Sequence, residues 1–519
     1  MKLVTVNQMR QLEQRADKVG LPSDVLMENA GLAVAKETRK LKGNIAGSPI
    51  LIMVGPGNNG GDGLVAARHL DDWGAQVTIY MYKRKTDGDK NFRLVTEKDI
   101  PCIRAEDDAG LSSLRDSLRT SEVVIDALFG IGKIRPFQGM IKDILDLVAR
   151  TRQQREDMMI VALDLPSGLD ADTGTVDPAC LTSDATITLG YPKIGLFYFP
   201  GSQRVGTLVT ASIGISQELA NDIITEIITR ERVTSILPPR PWDANKGTFG
   251  KLLVAAGSIN YIGAAYLACT GAYRVGAGLV TLATASSLQS ILAAKCTEVT
   301  YIPLPETVPG IVNEKAASVL LDTIDNYDVL LMGCGYGQHT STLEFVRNFL
   351  FSLNNKSLKG LVLDADGLNI LSQTPEWVET LRHEAILTPH PGEMSRLTGL
   401  PVKNIQANRI ETARRFAAEW NKIIVLKGAY TVIAAPDGRV QLNPAANAGM
   451  ASAGTGDVLS GVIAGFLSQG LDPFDAACCG VYVHSMAGEL VKEELGDAGM
   501  IASDLLVVLP KAIKILKNV

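Results

Sequence analysis

The sequence lacks the features of a secreted, zinc-binding or membrane-spanning protein. Its 519 residues include seven cysteines, an odd and scattered set, with no C-x-x-C pair. This usage argues against a disulfide framework and against a zinc site, and it suits a reducing compartment. The N-terminus has no apolar signal core, and no run of 18 apolar residues follows it. We therefore expect a cytoplasmic protein with no membrane partner.

The chain also lacks a strong charge of either sign and a Walker-type phosphate loop. The formal net charge of −6 gives no reason to expect nucleic acid as a partner. No G-x-x-x-x-G-K-[ST] pattern occurs, so a P-loop NTPase is not expected. Any phosphate that the protein binds must be held in another way.

What the sequence does contain is a repeated alternation of short apolar runs, glycine-rich loops and amphipathic stretches. Such an alternation predicts parallel sheets with helices on both faces. The rhythm breaks at residues 216–248, where three prolines stand within four residues, and then it resumes. A chain of this length is too long for one ordinary core. We therefore predict an α/β protein of two unrelated domains, residues 1–235 and 236–519.

The first glycine loop, VGPGNNGGDGL at residues 54–64, follows an apolar strand and precedes a helix. It matches G-x-G-x-x-G formally, but the next strand ends in a basic run at 83–85 rather than in an acid for a ribose hydroxyl. Asn58, Asn59 and Asp62 carry oxygen atoms suited to an alkali or alkaline-earth cation. The same residues equally fit a turn that caps the following helix.

Two later strands end in polar loops of the same kind. Asp126 stands where one strand ends, and Asp164 and Ser167 follow another. Because the carboxyl ends of parallel strands meet at one edge of a sheet, the three loops should converge there. A carboxylate at a partly desolvated strand end can act as base or acid. Asp164 is therefore a candidate for proton chemistry, and a helix cap or turn is its alternative role.

These three motifs together resemble the NAD(P)H-hydrate epimerases; they read NNGGDG at 58–63, DALFG at 126–130 and DLPSG at 164–168. The resemblance covers about residues 1–215 and implies a Rossmann-like domain that interconverts the R and S hydrates at C6 of the nicotinamide ring. It also implies a potassium ion held by Asn59, Asp126 and Ser167. The substrate contacts that it implies are Asn58, Asn59, Gly60, Gly61, Asp62, Gly130, Ile131, Gly132, Lys133, Ile134, Arg135, Pro136 and Asp164.

In the second half, the loop NPAANAGMASAGTGD at residues 443–457 runs into a helix. Gly454, Thr455 and Gly456 can turn backbone N–H groups toward one point, and the helix adds its positive end, so an anion can be held without lysine. Because a carboxylate repels phosphate, Asp457 is better suited to take the proton of a hydroxyl that attacks phosphorus. Complementing the helix dipole is its alternative role.

Other polar residues follow strands of the second half. They are Asp364, Asp366, residues 390–393 and Lys427. Each of them alone would fit a satisfied surface group. Several polar loops at the carboxyl edge of one sheet, together with the anion loop, favour a phosphoryl-transfer site.

The segments around these positions, which read GCGYG, LDADGLN, TPHPGEMSRL, KGAYT and NAGMASAGTGD, resemble the ADP-dependent NAD(P)H-hydrate dehydratases of the ribokinase-like superfamily. The resemblance spans about residues 240–515. It implies that ADP, with magnesium, phosphorylates the C6 hydroxyl of the S hydrate, and that loss of phosphate restores NADH or NADPH. The implied hydrate contacts are Ala264, Gly335, Gly337, His390, Pro391, Gly392, Glu393, Met394, Ser395, Arg396 and Asp457. The implied nucleotide contacts are Lys427, Gly428, Ala429, Tyr430, Thr431, Asn447, Ala448, Gly449, Met450, Ala451, Ser452, Ala453, Gly454, Thr455 and Gly456.

The predicted function is therefore repair of hydrated NADH and NADPH by a bifunctional enzyme, with Asp164 and Asp457 as catalytic residues. One alternative is a small-molecule kinase with a regulatory N-terminal domain, and another makes the N-terminal half a non-catalytic binding module. A dehydrogenase is a further alternative, which the basic run at 83–85 supports poorly. Because superfamily relatives often assemble and the small-residue helices can pack closely, we expect a homo-oligomer.

Overall fold

The computed structural model describes residues 1–132 and 136–518. The chain forms two compact units, Met1–Ile224 and Thr225–Val519. The segment 225–235, which the sequence analysis assigned to the first domain, therefore folds with the second unit. The physical reason is strand pairing: Thr225–Ile227 adds a parallel strand to Val440–Leu442 at the edge of the second sheet.

Helices and strands are numbered in chain order, and those of the first unit begin with two helices. The capping box predicted at Thr5 and Gln8 is present, since each residue's side chain accepts the other's backbone N–H (3.2 and 2.9 Å). The helices are α1 (Val6–Lys18), α2 (Ser23–Lys42), α3 (Asn58–Asp72), α4 (Lys90–Thr96), α5 (Ser112–Thr120) and α6 (Met140–Gln154). The strands are β1 (Pro49–Val54), β2 (Gln76–Met81), β3 (Cys102–Arg104), β4 (Val123–Ala127), β5 (Met159–Leu163), β6 (Ala185–Leu189) and β7 (Thr207–Ala211).

The seven strands of the first unit form one sheet in the order β3-β2-β1-β4-β5-β6-β7, and every pairing is parallel. Both faces are covered, as the sequence pattern predicts. In β1, Ile50, Ile52 and Val54 belong to one hydrophobic cluster, and Leu51 and Met53 belong to the other. The strand order reverses between β1 and β4, which is where an open α/β sheet leaves a crevice at its carboxyl edge.

The second unit continues the alternation. Its helices are α7 (Arg230–Ile236), α8 (Ile262–Arg274), α9 (Gln289–Ala293), α10 (Ala316–Leu321), α11 (Thr340–Ser352), α12 (Asp366–Ser372), α13 (Trp377–Thr380), α14 (Pro391–Thr398), α15 (Val402–Ala407), α16 (Arg409–Trp420), α17 (Thr455–Ser468), α18 (Pro473–Leu495) and α19 (Ala502–Lys517). Its strands are β8 (Thr225–Ile227), β9 (Lys251–Ala255), β10 (Leu279–Ala285), β11 (Thr300–Leu304), β12 (Glu306–Val308), β13 (Ile311–Val312), β14 (Val329–Met332), β15 (Gly360–Leu363), β16 (Ala385–Leu387), β17 (Ile423–Leu426), β18 (Val432–Ala434) and β19 (Val440–Leu442).

Ten of these strands form one sheet in the order β11-β10-β9-β14-β15-β16-β17-β18-β19-β8. The pairings are parallel from β11 to β17, but β18 runs antiparallel to both of its neighbours. The sheet is therefore mixed rather than purely parallel. Its strand order reverses between β9 and β14, so the carboxyl edge near these strands is again the expected ligand site.

The helices rich in small residues pack against each other inside the second unit. A Cβ atom built on Gly461 of α17 would lie 2.1 Å from the carbonyl oxygen of Ala268 in α8, so only glycine permits this approach. The small residues thus serve contact between α8 and α17, and the homo-oligomer expected from them stays a prediction. None of the helices in the described ranges combines the length and hydropathy that a bilayer-spanning segment needs.

Candidate active sites

The first site lies at the carboxyl edge of the first sheet, where the three predicted loops do converge. Ser167, in the loop after β5, donates its hydroxyl to Asp126 Oδ1 (2.6 Å) and its backbone N–H to Asp126 Oδ2 (2.9 Å). The Ser167 hydroxyl also accepts the N–H of Phe129 (3.0 Å). Asn59, from the third loop, lies next to Gly130 of the second. A Cβ atom built on Gly130 would be only 3.1 Å from the Asn59 amide oxygen.

Asp126 is an unusual carboxylate because it is fully buried and has no basic partner. No Lys, Arg or His side chain forms an ion pair with it within residues 1–132 and 136–518. Burial raises its pKa, and only the hydrogen bonds from Ser167 and Leu128 oppose the rise. The buried Nδ2 of Asn59 also lacks a partner in the described chain. An uncompensated carboxylate beside an amide and a hydroxyl is a donor set that fits a hard cation such as potassium.

Asp164 lies after β5 with a backbone φ of 68°, a conformation that is uncommon outside glycine, asparagine and aspartate. Its Oδ1 atom accepts three hydrogen bonds, from Lys193 Nζ, Leu189 N (3.0 Å) and Thr188 Oγ1 (3.2 Å). No donor reaches Oδ2 in the part of the chain that the structure describes. One oxygen therefore fixes the carboxylate in place, and the other keeps its lone pairs.

Asp164 and Lys193 line a cavity of about 1030 Å³, together with Asp62 and Glu13. Burial raises the pKa of Asp62 well above its ordinary value, and the charges of Asp164 and Glu13 raise it further. Burial also raises the pKa of Glu13. The cavity therefore places the Asp164 carboxyl group, which is held by Lys193, near Asp62, a carboxyl group that favours its protonated form.

The other predicted contacts of this site fall into three groups. Those that line the cavity are Asn58, Asn59, Asp62, Gly130, Ile131, Gly132, Pro136 and Asp164. Gly60 and Gly61 do not line it, because they face Gly55 and Met27 inside the fold. Lys133, Ile134 and Arg135 lie outside the described residues.

Sequence reasoning missed Lys193, although it is 1% exposed and forms the ion pair with Asp164. The residue follows β6, a strand that the sequence analysis did not single out. A lysine within the apolar stretch ATITLGYPKIGLF was the available signal, because a fully buried lysine needs an acidic partner.

The second site is built around the start of α17. Gly454, the N-cap residue, has a φ of 90° and turns the chain into the helix, and Asp457 lies in the first helical turn. First-turn N–H groups have no acceptor inside a helix, and the helix end carries a partial positive charge. Asp457 is half-buried, and burial raises the pKa of its carboxyl group to about 6, with the charge of Asp364 adding to the rise.

Lys427, directly after β17, lies beside this helix start. Its Nζ donates to Asp364 Oδ1 (2.6 Å) and would lie 3.4 Å from a Cβ atom on Gly456. Its backbone N–H donates to Pro389 O (2.9 Å), which joins the β17 loop to the β16 loop. The other oxygen of Asp364 accepts the hydroxyl of Ser460 from α17 (2.5 Å). Both oxygens of this buried aspartate are therefore occupied.

Glu393 and His390 form the third part of the second site, at the start of α14. The Glu393 Oε2 atom accepts the His390 N–H (2.8 Å) and lies 3.8 Å from Lys427 Nζ. Burial raises the pKa of Glu393 to about 7, and the charge of Lys427 opposes the rise. The contact between Glu393 and the backbone of His390 is part of the capping box of α14. Glu393 also belongs to the second site, because it lies close to Lys427.

The remaining residues predicted to bind the hydrate are arranged around the same edge. Gly335 packs closely against Ala264, since a Cβ atom built on Gly335 would be 2.7 Å from the Ala264 Cβ atom. The Gly337 N–H donates to Asp366 Oδ2 (2.7 Å). Arg396 is anchored by the amide oxygen of Asn369 (3.0 Å). Within the segment 390–396, two side chains serve the fold: Met394 is fully buried, and Ser395 donates to Leu400 O (2.6 Å).

A cavity of about 200 Å³ adjoins Lys427 and the start of α17. The predicted nucleotide contacts that line it are Lys427, Gly428, Ala429, Thr431, Asn447, Met450, Ala451, Thr455 and Gly456. Those that do not line it are Tyr430, Ala448, Gly449, Ser452, Ala453 and Gly454.

Sequence reasoning missed three polar residues of this cavity, namely Asn443, His484 and Ser485. Burial lowers the pKa of His484 to about 4, so the ring is neutral and donates from Nε2 to Thr455 O (3.0 Å). A lone histidine inside the apolar helix α18 was the signal in the sequence.

Comparison with known proteins finds a separate family match in each half of the chain. The family model described as NAD(P)H-hydrate dehydratase matches residues 252–511, and the one described as YjeF-related protein N-terminus matches residues 23–195. The crystal structure of the ADP/ATP-dependent NAD(P)H-hydrate dehydratase from Bacillus subtilis, co-crystallised with ATP/Mg²⁺, is 36% identical with a TM-score of 0.50. It covers 56% of this chain and 98% of its own.

Two full-length relatives are bifunctional NAD(P)H-hydrate repair enzymes named Nnr. The one from Moorella thermoacetica is 39% identical, covering 100% of this chain and 98% of its own length. The one from Thermofilum pendens is 37% identical, covering 100% and 97%. These matches confirm the predicted fold class, a Rossmann-like domain followed by a ribokinase-like domain, and they disfavour a plain kinase or a dehydrogenase. The chain therefore belongs to the family of bifunctional NAD(P)H-hydrate repair enzymes, which join an epimerase to a dehydratase.

Proposed function

We propose that the second unit transfers a phosphoryl group from ADP to the C6 hydroxyl of the S hydrate of NADH or NADPH. Loss of phosphate then restores the nicotinamide. The observation that carries this proposal is Asp457, whose carboxylate follows the open N–H groups at the start of α17 and lies near Lys427. The N–H groups and the helix end attract phosphate, which leaves the carboxylate to accept the hydroxyl proton.

In this proposal the nucleotide lies against Lys427–Thr431 and the loop 447–456, and the hydrate lies against residues 390–396. Lys427 supplies the positive side chain that a conventional phosphate loop would carry within its own sequence. Removal from water lowers the pKa of this half-buried lysine, but the charges of Asp364 and Glu393 raise it, so the pair with Asp364 keeps the lysine charged. Magnesium accompanies the phosphates and lowers their repulsion. We assign no side chain of this chain to that ion.

For the first unit we propose epimerisation at C6, with Asp164 as the proton-accepting group. The support is the unoccupied lone pairs of Oδ2 in a residue whose Oδ1 is fixed by three donors. Asp62, which favours its protonated form, is suited to give a proton to the same ring. An acid and a base in one cavity are what an interconversion of two epimers requires.

We further propose that Asn59, Asp126 and Ser167 hold potassium in the first unit. The support is the fully buried Asp126 carboxylate, which would otherwise carry an uncompensated charge. The ion would supply positive charge beneath the loops that contact the hydrate. A potassium titration followed by the thermal transition of the protein tests this, because a bound ion stabilises the folded state. Equal stabilisation by sodium and by potassium would contradict a selective site.

The reaction is tested by incubating mixed hydrate epimers with ADP and, in parallel, with ATP. We expect the absorbance of the dihydronicotinamide to return while phosphate is released, and both epimers to be consumed. A small-molecule kinase would instead leave a stable phosphorylated product. The Asp457→Asn variant should keep nucleotide binding and lose turnover, because an amide cannot accept the proton. Normal turnover by that variant would show that Asp457 only complements the helix dipole.

A further inference from the structure

The proposed dehydration requires two separate proton removals, and this inference rests on that proposed function. Hydration placed a hydroxyl on C6 and a hydrogen on C5, so restoring the C5–C6 double bond removes both. Phosphoryl transfer releases the hydroxyl proton, which Asp457 accepts. Asp457 is then protonated when the C5 proton has to leave. A second base near the same substrate is therefore needed unless Asp457 first gives its proton to solvent.

Glu393 is the available carboxylate. Its side chain is 6% exposed, and among the described residues it forms ion pairs with Lys427 and, when that ring is protonated, with His390. The Oε2 atom accepts the backbone N–H of His390 and faces Lys427, whereas Oε1 lies 3.3 Å from His390 Nε2. A capping glutamate normally has its side chain in water, so near-complete burial beside a lysine indicates a second role.

The histidine ring defines the state of this carboxylate. His390 Nδ1 accepts the N–H groups of Gly392 (3.0 Å) and Glu393 (3.4 Å), so Nδ1 carries no proton. The proton of the neutral ring is then on Nε2, which faces Glu393 Oε1. The backbone N–H of His390 thus faces Oε2 of Glu393, and the ring N–H faces Oε1, so both contacts favour a Glu393 carboxylate that accepts. With a pKa of about 7, it can take a proton and release it again near neutral pH.

Glu393 and Asp457 also share one lysine. Lys427 Nζ is 3.8 Å from Glu393 Oε2, and the same atom would be 3.4 Å from a Cβ on Gly456, the residue before Asp457. The charge of Lys427 also opposes the rise in the pKa of Asp457, so both carboxyl groups neighbour this lysine. Asp364 also lies beside Lys427, but it binds the lysine at 2.6 Å and the Ser460 hydroxyl at 2.5 Å. Glu393 is held less tightly, because its Oε2 is 3.8 Å from the lysine and its Oε1 is 3.3 Å from the neutral ring of His390.

We propose that Glu393 is the base that removes the C5 proton in the elimination step. In the first step the C6 oxygen forms a bond to phosphorus, the bond from phosphorus to the leaving AMP oxygen breaks, and the hydroxyl proton goes to Asp457. In the second step the N1 lone pair expels phosphate from C6 with the electron pair of the C–O bond. The C5–H electrons then form the C5–C6 double bond, N1 regains its pair, and the proton goes to Glu393.

The test is the Glu393→Gln variant of the full chain, mixed rapidly with the S hydrate and ADP. AMP formation reports phosphoryl transfer, and the dihydronicotinamide absorbance reports elimination. We expect AMP to appear in a first turnover at the wild-type rate while absorbance returns about 10²–10⁴-fold more slowly, so that phosphorylated hydrate accumulates. Glu419→Gln, an exposed glutamate on α16 that pairs with Arg415, is the matched control and should behave as wild type.

Three results would overturn the proposal. Absorbance that returns as fast as in the wild type would show that another group or water takes the C5 proton. Equal loss of AMP formation and absorbance in a folded variant would give Glu393 a binding role only. If the glutamine variant does not fold, Glu393→Asp is tested instead. Equal slowing of AMP formation and of the absorbance return in that variant would also contradict the proposal. Failure of the proposed function would give a different result. If Asp457 is not the base of phosphoryl transfer, the Asp457→Asn variant would still form AMP, whatever the Glu393 variants do.

Discussion

Both units place a lysine against a buried aspartate at the carboxyl ends of parallel strands, but the two pairs differ in which carboxylate oxygens they leave free. In the first unit, Lys193 and two further donors all reach Oδ1 of Asp164, and Oδ2 has no donor in the described residues. In the second unit, Lys427 and Ser460 occupy both oxygens of Asp364. The same kind of ion pair thus fixes the proposed base in the first unit and a fully occupied carboxylate in the second.

This difference shows that an ion pair by itself does not identify a catalytic aspartate. In the second unit the carboxyl groups whose pKa values are raised, Asp457 and Glu393, are neighbours of the pair rather than members of it. In the first unit the member of the pair is the candidate, and the raised pKa belongs to Asp62. We therefore base the proposed roles on unoccupied lone pairs or a raised pKa rather than on closeness to a lysine.

The largest effect is expected from Lys427→Met. The change leaves Asp364 and Glu393 buried without a cation, so dehydration should be lost and the second unit should lose about 3–5 kcal/mol of its free energy of unfolding. Chemical denaturation and the dehydratase assay measure both effects. Epimerisation should persist, because it depends on the other unit. Lys359→Met is the control, since its pair with Asp328 is largely exposed and is worth about 0–1 kcal/mol.

A smaller but more selective effect is expected from Asp164→Asn. Asparagine tolerates the left-handed backbone, but its amide cannot serve as the base, so epimerisation should slow by about 10²–10⁴-fold. Chiral analysis of the hydrates measures this, and dehydration of pure S hydrate should be unchanged. The double variant Asp164→Asn/Lys193→Met removes the uncompensated lysine, so it should regain stability without regaining activity. Unchanged epimerisation in either variant would remove the assigned role of Asp164.

Ser460→Ala tests the claim that both oxygens of Asp364 must be occupied. The variant leaves a buried carboxylate oxygen without a donor, which should cost the second unit about 1.5–3 kcal/mol. Ser468→Ala on the same helix is the matched control, because its buried hydroxyl donates to the neutral carbonyl of Gly465 (2.9 Å) and should matter less. Denaturant titration compares the two. Equal losses would mean that the charge of Asp364 needs no second donor.

The smallest effect is graded and depends on pH. Asp457 must be ionised to accept the hydroxyl proton, and its pKa in the folded protein is about 6. As the pH falls through 6 the ionised fraction falls, so kcat/KM followed by AMP formation, the step assigned to Asp457 and not to Glu393, should drop about tenfold per pH unit below that value. A profile measured from about pH 5 to about pH 8 with S hydrate and ADP tests this. A flat acidic limb would contradict the role of Asp457 as base.

The features that sequence reasoning predicted correctly depend on local patterns. Apolar runs followed by glycine loops indicated the strands, and the shared carboxyl edge then predicted that Asp126 and Ser167 meet, which they do at 2.6 Å. Asp457 falls in the first turn of a helix as its loop predicted. These predictions succeeded because each needs only the order of elements along the chain and the geometry of parallel sheets.

The features that it missed depend on contacts between segments far apart in sequence. Lys193 pairs with Asp164 across 29 positions, and Ser460 reaches Asp364 across 96. No periodicity reports which of many polar residues finds a buried partner. The small residues of α8 and α17 bring these two helices together, a pairing that the sequence alone did not identify. A helix rich in small residues is expected to pack closely against another element, but its composition does not tell which element that is.

The strand β8 has a practical consequence for anyone who separates the two halves. It covers the outer edge of β19, and Gln441 donates to Glu226 (2.7 Å) across that pairing. A fragment that began at residue 236 would leave β19 with a row of unpaired N–H and C=O groups, which is a template for joining another chain edge to edge. A fragment that begins at residue 225 keeps β19 paired and leaves the three-residue β8 as the edge strand, as in the full chain. The segment that a sequence-based boundary would discard is therefore needed to pair β19.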